Sequence, residues 1–578
     1  MIKQIARFTV VIAAFISVVG GESAHAATLD VCLSGCSYSS ISSAVTAAAA
    51  GDTITIGPGT YSVLQVVISK PLTIIGAGSG QTIIDGGLAN GGFASDGMIR
   101  INTNRFGPVN ITGVTLQDAS RKSATAIRAS VLVKSGATAA NPTTYPVAFT
   151  DVEVLGTGAV DSATDYGIYF AGAANVVTPT PTVLPEPPIT LDNVKVSGNR
   201  GNGILIEDWR SDITIKNSEL HEGPFGSTSL FIGHGNPLDG PNPGKILIDN
   251  NEFIGKGIAI AQTAPGRVNG GFSQIEITNN HMAVIDNTDT AIAIQAPAAA
   301  GVGQSVGTLT IANNFIEGAG YSATSGTENT AGIRLIGAID SATIQNNEII
   351  GTNTAIRSSS NASGSPTNVV VTQNRLASNI VGVENTSPVA ISAPANWWGC
   401  SEDPHAGNAT CASVGEVPGL VVIDNYVVRT ADLPNPVLPG GTYVIPIYLN
   451  TLNNGSPASL PPSTLSPASF TVTIPADAVA GPLVVATDSV PLDLRTWLGE
   501  SFTLTVELAP EPEQPVDPPT ATTDTTQNQT PATQNSGADM SQKQAPLANT
   551  GDNVESLKVL IVILMFFSSA VLYRELRA

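Results

Sequence analysis

Positive charge is scarce in this chain. Of 578 residues, 25 are Lys or Arg against 46 Asp or Glu, so the net charge is −21 at pH 7. With no basic stripe to neutralise phosphates, nucleic acid is excluded as a partner. The same balance weighs against tight binding to an acidic polymer unless calcium bridges the two. Charged residues of either sign make up only 12%. Histidine is scarce as well, and of the five only His221, His234 and His281 fall on the repetitive body. No nucleophile–base signature and no phosphate-binding loop occurs. Catalytic residues are therefore not assignable from motifs, and no cofactor or metal is implied beyond room for Ca2+ between neighbouring carboxylates.

What the chain has in abundance is one motif, apolar-x-apolar-x-Asn-(Asn)-x-apolar. It reads ITLDNVKV (189–196), ITIKNSEL (213–220), ILIDNNEF (246–253), IEITNNHM (275–282), LTIANNFI (309–316), ATIQNNEI (342–349) and VVVTQNRL (369–376), with weaker copies VNITGVTL (109–116) and VAFTDVEV (147–154). The bend position falls at Gly113, Asp151, Asn193, Asn217, Asn250, Asn279, Asn313, Asn346 and Gln373, in steps of 24 to 42 residues. A repeat of that length made of short strands means stacked coils. Apolar residues alternate within each copy, so each is a strand with one buried face. Asn interrupts the strand because it tolerates the left-handed conformation. Stacking would put each Asn about 4.8 Å above the next, close enough for an amide ladder. A second apolar stretch follows in most coils: GIYF (167–170), GILI (203–206), SLFI (229–232), GIAI (257–260), AIAI (291–294) and GIRL (332–335). Two or three strands per coil with variable loops describe a parallel β-helix, right-handed by the usual crossover chirality.

The opening ISSAVTAAAAGDTITIGPGTY (41–61), then ISKPLTIIGAG (68–78) and TIIDG (82–86), resembles the first coils of the pectate-lyase-like, right-handed parallel β-helix superfamily. The Ala-rich helix near 41–50 would cap the open end of the stack, where a bare coil leaves an unpaired sheet edge. The closing ANWWGCSEDP (395–404) is similar to the Asn-Trp-Trp-Gly segment that often ends such stacks in bacterial surface proteins. The resemblance spans roughly 38–415 and implies a fold, not an activity, because lyases, hydrolases, epimerases, adhesins and plain stalks share this scaffold.

Both chain ends point outside the cell. Residues 1–26 read as a secretory signal: Lys3 and Arg7, an apolar run, and Ala24-His25-Ala26 at the cleavage site. At the other end Leu547-Ala548-Asn549-Thr550-Gly551 precedes an apolar run and a tail with Arg574 and Arg577. That order resembles a sorting signal read by sortases, which implies cleavage after Thr550 and transfer to a cell-wall amine. The segment 557–573 is short for a transmembrane helix, so Lys558 would have to snorkel. A plain C-terminal membrane anchor is the alternative. Four cysteines suit this compartment. Cys32 with Cys36 and Cys400 with Cys411 are favoured as local disulfides; a zinc site built from all four thiolates is the alternative.

The expected organisation is all-β: a β-helix with its N-terminal cap over 27–419, a small immunoglobulin-like β-sandwich over 420–508, a disordered spacer over 509–546 and the sorting signal with its transmembrane segment over 547–578. The sandwich rests on five strand-like runs between Pro/Gly/Ser turns. The spacer is too poor in apolar residues to bury a core.

Two columns of side chains are candidates for chemistry. Aligning the second strands places Tyr169, Glu207, Asp208, Trp209, Arg210, His234 and Asp239 along one edge, where an aromatic beside carboxylates and an arginine would suit a sugar groove. The competing reading is a solvated turn with Trp209 packed under a loop. Following the bend, Lys195, Glu219, Glu252, His281, Phe315, Glu348 and Arg375 form a second column. There Glu219 and Glu252, one coil apart, could raise one pKa, bind calcium or act as an acid–base pair. A mixed-sign soluble face is the competing reading. Motifs of β-helix enzymes do not fit. Gly233-His234-Gly235 precedes Asn287-Thr288-Asp289, the reverse of the polygalacturonase order, and Arg334-Leu335-Ile336 is a poor last motif. Asp403-Pro404-His405 has the letters of an alginate-epimerase motif but lies beyond the last coil. Asp208, Arg210 and Asp212 only faintly echo pectate lyases. The expected function is binding or adhesion to extracellular polysaccharide or neighbouring cells, with sortase and membrane as partners in anchoring. A polysaccharide lyase, hydrolase or epimerase, and a structural stalk or coat protein, are the alternatives.

Overall fold

The computed structural model describes residues 26–87, 97–103, 107–119, 128–135, 145–156, 165–172, 186–223, 228–234, 242–262, 272–283, 290–296, 305–318, 331–377, 379–406, 412–416, 420–431, 437–460, 469–486 and 501–506. The signal segment, the spacer, the sorting motif and the apolar run at 557–573 lie outside the described residues. Among those described, no helix is long and apolar enough to cross a membrane.

The copies at 213, 246, 275, 309 and 342 are a strand, a left-handed residue and a second short strand, whereas those at 109, 147 and 189 run as one strand through the bend. In one coil these are Ile213–Lys216, Asn217 with φ 53°, and Glu219–His221. The next coil repeats them as Asn242–Asp249, Asn250 with φ 54°, and Glu252–Ile254. Asp151, Asn193, Asn279, Asn313, Asn346 and Gln373 take the same conformation, with φ between 52° and 57°. A left-handed residue costs an L-amino acid with a branched side chain most and Asn least, which is why the bend carries this residue type. The two legs on either side of the bend belong to one 21-stranded sheet, and the second stretch of each coil joins a separate 12-stranded sheet.

Pairing between coils is parallel, and among the described residues its register shifts only between Asn242 and Lys245 and between Val381 and Val383. Ile189, Ile213, Ile246 and Ile275 stack, as do Leu191, Ile215, Ile248 and Ile277. Across the core, Ile204, Leu230, Ile258, Ile292 and Ile333 form the facing row. All of these are essentially solvent-free. Alternation along each strand thus becomes continuous apolar columns inside the stack. The long parallel sheets match a right-handed β-helix.

At the N-terminal end a helix, Ile41–Ala47, lays Ile41, Ala44 and Val45 on the first coil. Ser40 caps it by accepting from the Ser43 amide. Cys32 and Cys36 are disulfide-bonded beside it. Cys400 is also disulfide-bonded; Cys411, its expected partner, lies outside the described residues. At the far end parallel pairing runs on through Val421–Val422 against Ile391–Ser392, two residues past the expected boundary at 419. The antiparallel strands that follow are Val427–Ala431, Thr442–Leu452 and Ser469–Thr473 in one sheet, and Gly481–Ala486 with Ser501–Val506 in another. Trp397 and Ala377 from the stack pack with Val427, Leu449 and Leu452 at the junction.

The amide ladder sits one residue later than the sequence suggests. The exposed Asn193, Asn217, Asn250, Asn279 and Asn313 and the half-buried Asn346 are the bend, and bonds along that row go partly to aspartates: Asn217 donates to Asp192 and Asn279 to Asp249. The unbroken ladder is the following residue. Asn251, Asn280, Asn314, Asn347, Asn374 and Asn396 are buried, and each Nδ2 donates to the next Oδ1 at 2.9–3.0 Å. The left-handed bend turns the next side chain inward, so the second Asn must satisfy its amide inside the core.

Candidate functional site

The outward face of the 12-stranded sheet carries a row of paired positions, one from each strand. Reading across the strands, it runs Val67, Arg100, Leu132, Tyr169, Leu205, Phe231, Ala259, Ala293, Arg334, Arg357, Glu384 and Gly415. These positions point away from the core because Ile or Val neighbours on either side point into it. The row has three parts.

After Val67 and Arg100, whose Nε donates to Asn102 Oδ1, the first part is apolar. Leu132, Tyr169 and Leu205 are nearly covered, with Tyr166, Ala171 and Phe231 packed against them and half-buried. Tyr166 and Tyr169 rings lie 5.3 Å apart. The Tyr169 hydroxyl donates to Glu207 Oε2 at 2.5 Å. Burial, first, and the bonded Glu207 carboxylate, second, push the Tyr169 hydroxyl well above its usual range. Tyr169 therefore stays a neutral donor, and Glu207 is occupied in accepting from it.

The second part is small: Ala259 and Ala293, half-buried on successive strands. The third part is charged. Arg357 Nε lies 3.3 Å from Glu384 Oε2, and Thr354 Oγ1 donates to the same oxygen at 3.4 Å. Arg334 stands one strand before Arg357, about 4.8 Å away along the stack. Its Nε is covered and has no hydrogen-bond acceptor. Burial, then the neighbouring Arg357 charge, hold the Arg334 guanidinium below its usual range, with Glu384 acting the other way.

The seven residues expected to line a sugar groove separate. Glu207 faces outward beneath Tyr169. Asp208 takes φ 57°, which reverses the alternation, so Trp209 turns into the core. There it meets Phe170 edge-on at 5.6 Å and donates Nε1–H to the Pro187 carbonyl at 2.8 Å. Arg210 is buried as well, and its amide donates to Glu186 Oε2 at 2.9 Å. Trp209 is thus a core wedge and offers no ring face to a pyranose, and with Asp208 and Arg210 buried beside it the turn is not a solvated one. His234 pairs through its backbone with Gln262; its side chain, and Asp239, lie outside the described residues.

The second candidate column does stack, through Lys195, Glu219, Glu252, His281, Phe315, Glu348 and Arg375. Its first carboxylate is held by ion pairs. Glu219 lies 2.9 Å from His221 Nε2 and 3.1 Å from Lys195 Nζ. The His221 hydrogen bond, first, and Lys195 lower the Glu219 pKa against the opposing effect of burial. His281 stacks on Phe315, with ring centroids 5.1 Å apart. The column is a line of ion pairs, the opposite of a raised general acid. Among the described residues no group of three or more His, Cys, Asp or Glu could hold a metal ion.

Sequence reasoning weighed Arg334 only as part of a poor enzyme motif and passed over Arg357 and Glu384. The signal was there in the second stretches, where Gly332-Ile333-Arg334, Ala355-Ile356-Arg357 and Gly382-Val383-Glu384 repeat small-apolar-charged.

No protein-family model and no curated protein matches the chain. Among solved structures it is similar to the A-module of the mannuronan C-5 epimerase AlgE4 of Azotobacter vinelandii, at 12% identity over 60% of this chain and 92% of that one, with a TM-score of 0.34. It is also similar to the PL6 family polysaccharide lyase Pedsa3628 of Pseudopedobacter saltans, at 14% identity over 68% and 92%, TM-score 0.37. A third is the catalytic domain of a GH87 alpha-1,3-glucanase, at 11% identity over 64% and 63%, TM-score 0.40. Likeness of this degree carries no argument about chemistry. Strand register and sheet composition define the class: a parallel β-helix protein with a continuous outward row on its 12-stranded sheet.

Proposed function

We propose that this protein is secreted, anchored at the cell surface, and binds an extracellular polysaccharide along the outward face of its 12-stranded sheet. The observation that carries this reading is the row from Val67 to Gly415, one position from each of the twelve strands. A ligand of repeating units suits a surface of repeating positions. Half-buried Tyr166 and Phe231 supply apolar faces for sugar rings, while Arg334 and Arg357 supply donors for their oxygens. Secretion and anchoring rest on residues 1–26 and on the order of Leu547–Gly551, apolar run and basic tail at the other end.

One observation favours the alternative of a polysaccharide lyase, hydrolase or epimerase: two arginines and a carboxylate do meet on this face. Against it, Glu384 is engaged by Arg357 and Thr354, and Glu207 by Tyr169. The test is a panel of neutral, uronate-containing and sulfated polysaccharides incubated with the purified full chain. Retention of a polymer with no new reducing or unsaturated ends is the expected result. Product release from any polymer would replace binding with catalysis; retention of none would end both readings.

A further inference from the structure

The N-terminal end of the stack holds a buried carboxylate with no cation beside it. Asp52 is 6% exposed. Its Oδ1 accepts from the Ala27 backbone nitrogen at 2.8 Å, and its Oδ2 from the Ala49 amide at 2.7 Å. Among the described residues no Lys, Arg or His forms an ion pair with it. Lys70, on the next coil, donates to the Thr46 and Ala48 carbonyls at the end of the cap helix. Aspartate is rarely buried without a counter-charge, because taking a charge out of water is costly.

The backbone around Asp52 ties three segments together. Thr53 donates its amide to the Ala27 carbonyl at 2.9 Å, Thr73 to the Asp52 carbonyl at 3.1 Å, and Gly51 to the Pro71 carbonyl at 2.9 Å. The strand Thr28–Val31, which begins one residue after Ala27, pairs in parallel with Thr53–Ile56. A strand at a chain terminus frays unless it is held down.

Ala27 is also the residue that follows Ala24-His25-Ala26, the small-x-small segment of the secretory signal. Hydrolysis of the Ala26–Ala27 peptide bond consumes one water. The water oxygen goes to Ala26 as its new carboxylate, and both protons go to the Ala27 nitrogen, which becomes an α-ammonium. Such a group titrates at about 7.7–8.0 and is charged at neutral pH. The nitrogen already lies within hydrogen-bond distance of Asp52 Oδ1, so the pair forms without rearrangement. Ala26 and Ala27 are exposed, so the remaining ammonium hydrogens meet water. We infer that Asp52 is the receptor for the processed N-terminus of this chain: cleavage before Ala27 supplies the cation that the buried carboxylate lacks. A neutral amide contact becomes a charge-assisted one that fastens the first strand and the cap helix to the stack. This pairing depends on the secretion proposed above, and adds to it which bond is cut and what the new terminus does.

The test uses the full chain exported with its own signal segment. Mass spectrometry of the N-terminal peptide should read a start at Ala27. Deuterium exchange at the Ala49 and Thr53 amides then reports on the pair. Inserting one Gly after Ala26 moves the ammonium outward and returns the Ala27 nitrogen to an amide; exchange at both sites should speed up about ten-fold. Asp52→Asn keeps the shape, removes the charge and should do the same, and the two changes together should add little to either alone. Insertion alters no buried side chain, so it decides the matter should Asp52→Asn fail to fold. A start at Ala27 with wild-type exchange in the insertion variant overturns the pairing and leaves secretion standing. So does an exported protein that starts at any other residue. Protein that keeps residues 1–26 and stays with the membrane brings down the pairing and secretion together.

Discussion

Asn347 Oδ1 accepts two bonds from Asn314 at once, from its backbone amide and from its side-chain Nδ2, each at 2.9 Å. Asn314 does the same for Asn280, and Nδ2 of Asn314 also reaches the Ile277 carbonyl at 2.9 Å. Every rung therefore hands its polar groups to the next, inside a core where water cannot replace a missing partner.

Asn314→Ala removes the Nδ2 donor and strips the Oδ1 acceptor from the backbone amide and Nδ2 of Asn280. Several buried groups lose partners together, so we expect a loss of about 2–4 kcal/mol. The midpoint of denaturant unfolding followed by circular dichroism measures it. The exposed strand change Thr308→Ala serves as the comparison; equal midpoints for the two variants would mean that the ladder contributes nothing.

One position earlier, a different quantity decides. Asn313 is exposed and held at φ 57°. Asn313→Ala should cost about 1 kcal/mol, because alanine pays the left-handed penalty that glycine escapes. Asn313→Gly should lie near wild type. Should Ala and Gly unfold at the same denaturant concentration, the bend does not depend on residue type.

These neighbouring positions mark what could be read from the sequence and what could not. Alternation around Ile213 and Ile215 fixes the inward columns, and the regular return of Asn fixes the bend, because both are local rules of strand geometry. Which Asn of a pair is buried was not legible, since it depends on how the left-handed residue redirects the side chain after it. Trp209 was misplaced for the same reason: a left-handed Asp208 reverses the inside–outside order just before it. Arg334 and Arg357 are 23 positions apart, and only the pairing of their two strands makes them neighbours. Charge balance over the whole chain conceals such a pair.

Acid should act on Glu219. Its pKa lies below the ordinary glutamate value because His221, first, and Lys195 stabilise the carboxylate. A depressed folded-state pKa gives stability that is present above the unfolded value of about 4.3 and is lost as pH falls through the lower folded value. The group is partly exposed, so the contribution is small and screened by salt. Glu219→Gln should flatten the acid limb of the stability profile below about pH 4.3 and leave neutral stability nearly unchanged. An NMR titration of the Glu219 carboxyl with a midpoint at or above the unfolded value would contradict the ion-pair account.

Trp209 separates packing from recognition. Its ring is 1% exposed, edge-on to Phe170, with its N–H bonded to the Pro187 carbonyl. A side chain of that size leaves a cavity when removed, and Trp209→Ala should cost about 3–5 kcal/mol. Trp209→Phe keeps most of the volume but leaves the Pro187 carbonyl without this donor, so it should fall between wild type and alanine. Neither change should alter polymer affinity in the molecules that remain folded, because the ring faces the core. The comparison is made well below the melting temperature of each variant, with the folded fraction counted by circular dichroism. A folded Trp209→Phe protein that has lost polysaccharide binding would place the ligand at this turn, and the outward row from Tyr169 to Arg357 would lose its claim to be the binding face.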